Sequence, residues 1–150
     1  MRAVIQRVEK ASVVISEKEI AKIEQGLLVL LGIEIEDTKE DALWLAGKIA
    51  LLRIFSDEKG VMNKSIADTG GEVIVVSQFT LHAKTKKGNR PSYIKAARPE
   101  QAIPLYDQFK EYLSTAISRQ VQTGGFGANM KVSLINDGPV TILIDSKNKE

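Results

Sequence analysis

Residues Ser77-Gln78-Phe79-Thr80-Leu81 put two hydroxyls and a side-chain amide at the end of an otherwise apolar run, Val73 to Val76, and His82 follows directly. Hydroxyl and imidazole together suggest a Ser-His-Asp hydrolase, but the spacing opposes it. If the run continues as a strand, Ser77 and His82 point to opposite faces. Thr80 and His82 then share a face with backbones about 6.6 Å apart, so a direct pair needs irregular backbone. His82 is the sole histidine and cysteine is absent, which excludes thiol nucleophiles, disulfides, zinc-thiolate sites and multi-histidine metal centres. No metal and no cofactor is expected. Ser77 and Thr80 either line a pocket mouth or satisfy backbone groups where the strand ends.

A second segment carries charge. Lys84, Lys86, Lys87, Arg90, Lys95 and Arg98 lie in fifteen residues without an acid, leaving fifteen basic against nineteen acidic residues elsewhere. The overall net charge of +2 hides this polarity, which suits either a solvated loop or a surface that attracts a polyanion. Tyr93 places one aromatic ring inside it. A third segment is Asn136-Asp137-Gly138-Pro139-Val140-Thr141. Asp-Gly is a hairpin-turn signal, yet Pro139 stands where the next strand should begin and has no N–H for a ladder. The glycines around Phe126 match neither a Walker loop nor a dinucleotide fingerprint.

The elements that must position these segments follow from periodicity. Residues 2–9 and 12–16 alternate or are β-branched and read as strands, with a turn at Glu17-Lys18 into a strand over Ile20–Ile23. Gly26 opens Leu-Leu-Val-Leu-Leu-Gly-Ile, a strand buried on both faces. Asp37 and Glu40 stand as a capping box for a helix with the stripe Leu45, Ile49 and Leu52. Residues 56–60 are turn chemistry, and 72–77 form a strand continuing through Leu81. A long helix starts near Pro99 with the stripe Leu105, Phe109, Tyr112, Leu113 and Ala116, delayed or bent by Pro104, and ends at the glycines from Gly124. Two strands, 130–135 and 140–144, close the chain. The fold class is mixed α/β: a single domain over residues 1–150, with curved β-sheets forming a barrel-like core and two main helices packed outside.

Class follows from composition. With 150 residues, 43% hydrophobic and 27% charged, the chain suits one globular domain rather than disorder. Its opening residues lack a signal-peptide core, and no apolar run is long enough to span a bilayer, so a cytoplasmic protein with no membrane partner is expected.

Both motifs resemble the signatures of the D-aminoacyl-tRNA deacylase (D-tyrosyl-tRNA deacylase) family: Ser77-Gln78-Phe79-Thr80-Leu81 and Asn136-Asp137-Gly138-Pro139-Val140-Thr141. The likeness extends to Arg2–Val8, to Lys87-Gly88-Asn89-Arg90-Pro91-Ser92 and to Gly125-Phe126-Gly127-Ala128, nearly the whole chain. Lys84 stands where many members carry an acid. The resemblance implies hydrolysis of the ester between a D-amino acid, or glycine, and the terminal adenosine of tRNA. It implies a homodimer with the active site at the subunit interface and a cis Gly138–Pro139 bond inserted into the partner's pocket. Gly138 and Pro139 would bind the substrate amine, Arg7 would anchor their turn, and Phe126 and Met130 would sit near the adenine. Ser77, Gln78, Phe79 and Thr80 would form the catalytic segment, with backbone N–H groups as oxyanion donors. Lys84, Lys86, Lys87 and Arg90 would bind tRNA. Thr80 as nucleophile has no visible base, which favours assistance by the tRNA 2′-hydroxyl. The alternative from another class is a non-catalytic RNA-binding domain using the basic segment.

Overall fold

Strand β1 (Arg2–Ile15) organises the sheet in the computed structural model, which describes residues 1–150. The two runs expected at 2–9 and 12–16 are one continuous strand. It reverses at Ser16 and Glu17, both at positive φ, as a two-residue hairpin turn of primed type requires. The turn leads into β2 (Lys18–Ile23), which pairs antiparallel with the far half of β1, while β3 (Gly26–Gly32) pairs antiparallel with its near half. A small hairpin, β4 (Phe55–Ser56) and β5 (Met62–Lys64), stands apart from this sheet. Strand β6 (Glu72–Ser77) runs parallel to β3, and β7 (Gln122–Thr123) parallel to β6. The Gln122 side chain then accepts from Lys22 N–H at 2.9 Å and donates to the Lys22 carbonyl at 2.7 Å. That clip ties β7 back toward β2, so the sheet nearly closes into the expected barrel.

The apolar run in β3 is explained by its two neighbours. Leu27, Val29 and Leu31 face the helices together with Val73 and Val75 of β6, while Leu28 faces the barrel interior with Ile74 and Val76. Each strand thus feeds two cores by simple alternation. Close approach of β3 to β6 requires Gly26, where a Cβ would overlap the Glu72 carbonyl.

Helices α1 (Lys39–Ala50) and α3 (Pro99–Ala116) pack together on one face of the sheet, and a single-turn helix, α2 (Ile66–Thr69), precedes β6. Both helices depart locally from the sequence expectation. The capping box of α1 is Thr38 with Asp41, because Asp37 turns inward to take the Met1 amine and the Glu34 N–H. Burial pushes the Asp41 carboxyl up, but hydrogen bonds from Lys147 and from the Thr38 N–H outweigh it and hold the carboxyl well below its usual range. Leu52 lies beyond the end of α1. Helix α3 starts at Pro99 and runs through Pro104 without delay. It stops at Ala116, well before the glycines, where Ser118 adopts a positive φ. Its buried stripe is Ala102, Tyr106, Phe109 and Leu113, and Ala116 is exposed.

The largest departure lies at the C-terminus. Residues 130–135 and 140–144 are not two strands joined by a hairpin but one strand, β8 (Lys131–Asp145), antiparallel to β1 along its whole length. Gln6 pairs with Thr141 and Val8 with Asn136, so Arg7 alone faces the four residues Asp137 to Val140. The Asp-Gly pair therefore forms a bulge out of a continuing strand. Strand β8 contains no buried residue, and its other edge is unpaired.

Candidate active site

At Ser77 the sheet ends and the backbone changes character. Gln78 N–H makes the last ladder bond, to the Leu31 carbonyl at 2.8 Å. The chain then curls into a 3₁₀ turn over Phe79–His82 instead of continuing as a strand. The turn lies flush on Gly32, where a Cβ would stand 3.0 Å from the Gln78 carbonyl oxygen, from Leu81 Cβ and from His82 Cδ2. Arg2 Nη1 holds the turn from outside through the Leu81 carbonyl at 3.1 Å. As the first residues of a 3₁₀ turn, Phe79 and Thr80 have N–H groups with no acceptor in the chain. The Gln78 N–H is committed, so it drops out of the donor set named above.

The irregular backbone does not create a triad. His82 is buried, neither ring nitrogen has a hydrogen-bond partner, and the Glu34 carboxylate is 4.0 Å from Nδ1. The Thr80 hydroxyl instead accepts a 2.6 Å hydrogen bond from Gln78 Nε2. No imidazole or carboxylate activates it.

Beside the turn opens a cleft of about 620 Å³. Ser77, Gln78 and Phe79 form one wall; Phe126, Ala128 and Met130 form another. The second wall is fixed from below. Tyr106 donates to the Val75 carbonyl at 2.8 Å and meets the Phe126 ring edge-on at 5.5 Å. Burial pushes the Tyr106 phenol above its usual range, which keeps it a donor. The Met130 thioether fills the space that a side chain at Gly124 would need. Tyr93 closes the mouth, its ring packed against Phe79 at 5.0 Å. Sequence reasoning noted Tyr93 only as an isolated aromatic and missed Tyr106 as a support; no local signal in the sequence links either to Phe79 or Phe126. The only charged residue lining the cleft is Arg98.

The structure does not bring every expected residue to this cleft. Lys84, Lys86, Lys87 and Arg90 are exposed in the loop beyond the turn and form no ion pair. The loop is pinned where Lys84 and Ser92 exchange backbone bonds at 2.8 and 3.0 Å. Gly138 and Pro139 line no part of the cleft of their own chain. They sit in the β8 bulge opposite Arg7, and Arg7 pairs with Leu27, four residues along β3 from the level of Ser77. The bulge is clamped. Arg7 Nε donates to the Asp137 carbonyl at 3.1 Å and faces the Asp137 carboxylate at 3.2 Å, while Nη1 donates to the Ile54 carbonyl at 2.6 Å. Asn136 Nδ2 spans the base of the bulge, donating to the carbonyls of Arg7 at 3.0 Å and Val140 at 3.1 Å. The Gly138–Pro139 peptide is cis and Gly138 has φ 127°.

Known proteins share this arrangement of chain. The family model for D-Tyr-tRNA(Tyr) deacylase matches residues 4–145. The D-aminoacyl-tRNA deacylase of Flavobacterium psychrophilum is 65% identical and that of Parabacteroides distasonis 62%, each over 100% of both chains. Among solved structures, the c-Myc DNA Unwinding Element Binding Protein superposes with a TM-score of 0.92 at 43% identity, covering 97% of this chain and 98% of the other. A probable eukaryotic D-amino acid tRNA deacylase shares the fold with a TM-score of 0.81 at 16% identity, covering 95% and 97%. With both motifs built into one framework and the match running nearly end to end, the chain belongs to the D-Tyr-tRNA(Tyr) deacylase family.

Proposed function

We propose that the chain hydrolyses the ester linking a D-amino acid to the terminal adenosine of tRNA, as a homodimer in which the Gly138-Pro139 bulge of one copy completes the cleft of the other. The observation that carries this reading is the division of labour within one chain. A cleft lined by Phe79, whose amide and that of the adjacent Thr80 are uncommitted, has no carboxylate to read an ammonium. The Gly138 and Pro139 carbonyls, on a bulge clamped by Arg7 and Asn136, line no part of that cleft in their own chain. The unpaired edge of β8 supplies a surface for the second copy, with Ile135 and Leu143 exposed at 43% and 69%.

In the completed site the adenine lies against Phe126 and Met130, and the ester carbonyl points at the Phe79 and Thr80 amides. An oxyanion forming there gains two fixed hydrogen bonds at the moment its charge appears. The α-ammonium is held by the carbonyls of the partner's Gly138 and the partner's Pro139. A fixed wall at the α-carbon admits one hand by excluding the other, and the side chain itself goes unread. Glycine passes the same filter, so glycyl-tRNA is a second substrate. With no base beside Thr80, the free 2′-hydroxyl of the terminal ribose assists the attack of water. The exposed Lys84, Lys86, Lys87 and Arg90 attract the acceptor stem, and a role in translation places the protein in the cytoplasm.

The shared site has its own test. Leu143→Glu sets a charge on the exposed β8 face without touching either core, and the variant should fold as a monomer. Its hydrolysis of D-tyrosyl-tRNA should fall by about 100-fold or more, as loss of correctly placed groups commonly does. A folded monomer with full activity overturns the two-copy site.

A further inference from the structure

Arg98 is the one charged residue among the eighteen that line the cleft, twelve of which are hydrophobic. It is exposed, and its guanidinium makes no hydrogen bond and no ion pair within the chain. Its backbone is nonetheless fixed, because the Arg98 carbonyl accepts from Gln101 N–H at 3.0 Å and Ala102 N–H at 2.8 Å at the start of α3. A cation on a rigid helix start, unpaired at the rim of an apolar cleft, is placed to meet an anion.

The chemistry of the substrate limits which anion that is. The ester is neutral, and the amino acid carries an ammonium that Arg98 repels, which helps turn the amine toward the carbonyls of the bulge. The negative charges at the end of an RNA strand are its phosphodiesters, and the one nearest the reacting ribose joins the terminal adenosine to the nucleotide before it. We infer that Arg98 is the binding residue for this phosphodiester, so that the cleft recognises a nucleotide step and not an adenosine alone. Lys95 and Arg90 lie earlier in the same basic segment and are exposed like Arg98.

This inference rests on the deacylase reading, and two measurements separate their failures. The first compares two D-tyrosyl esters, one of adenosine and one of cytidylyl-(3′→5′)-adenosine, which differ in carrying the phosphodiester. The native protein should prefer the second by about tenfold or more in kcat/KM, as a charge-assisted contact allows. That preference should collapse in Arg98→Ala and be largely kept in Arg98→Lys. With full D-tyrosyl-tRNA, Arg98→Ala should also lower the salt dependence of binding by about one phosphate contact. The second measurement is calorimetric binding of unesterified cytidylyl-adenosine against adenosine, which needs no turnover. A native preference for the dinucleotide, lost in Arg98→Ala, supports the phosphate subsite even if no ester is hydrolysed, and in that case the deacylase reading alone fails. An unchanged preference in Arg98→Ala overturns the inference. So does an equal loss on both esters, because Arg98 would then act at the reacting centre.

Discussion

D-tyrosyl-tRNA ending in 2′-deoxyadenosine, charged on its 3′-hydroxyl, should be cleaved at least about 1000-fold more slowly than the ribo form, while Thr80→Ala should stay within about tenfold of the native protein. The expectation follows from what the cleft lacks. Its lining holds neither carboxylate nor imidazole, and the sole histidine is buried without a hydrogen-bond partner. The Thr80 hydroxyl already accepts from Gln78, and its N–H, the group offered to the oxyanion, survives replacement by alanine. A hydroxyl on the RNA is then the remaining group beside the ester that can orient or deprotonate water. Single-turnover rates on the two RNAs and the two proteins decide the matter. An inactive Thr80→Ala protein that still folds and binds tRNA would make Thr80 the nucleophile and end the RNA-assisted account.

Gly138→Ala should cost about 100-fold or more in hydrolysis of D-tyrosyl-tRNA. Gly138 has φ 127°, a conformation that L side chains rarely adopt. A Cβ there would meet Val140 Cγ2 at 2.8 Å, and Arg7 Nη2 and the Val140 nitrogen at 3.0 Å. The neighbours include backbone and the guanidinium that anchors Asp137, so the bulge must shift where its carbonyls are needed. Because Gly138 and Pro139 are exposed and belong to neither core, the melting temperature should move by only a few degrees, about what one kcal/mol does in a domain of this size. A variant of native activity would show that the bulge does not read the substrate.

The sequence made some of this legible and hid the rest for physical reasons. The double-sided apolar run at Leu27–Leu31 announced a central strand, because alternation into two cores leaves no polar face. The Asp137-Gly138 pair was misleading in isolation. Turn residues report local backbone preference, whereas hairpin or bulge depends on β1, which is long enough to pair with both flanks. The 3₁₀ turn at Phe79–His82 was equally hidden, since the surface it packs on is Gly32, more than forty residues earlier. Motif recognition found Phe126 and Met130, but not Arg98, whose significance lies in being the single charge beside an apolar cleft. The capping residues of α1 were displaced by one position because Asp37 is drawn to the Met1 amine, a tertiary contact with no local signature.

Handedness is the property that separates this deacylase from other esterases and from RNA-binding proteins. Matched D-tyrosyl-tRNA and L-tyrosyl-tRNA, incubated with the same enzyme preparation, should give release of tyrosine from the D ester and none above background from the L ester. Release of both at similar rates would leave a general esterase, and protection or persistence of both would leave an RNA-binding protein; either result contradicts a site built to read the amine and exclude one hand.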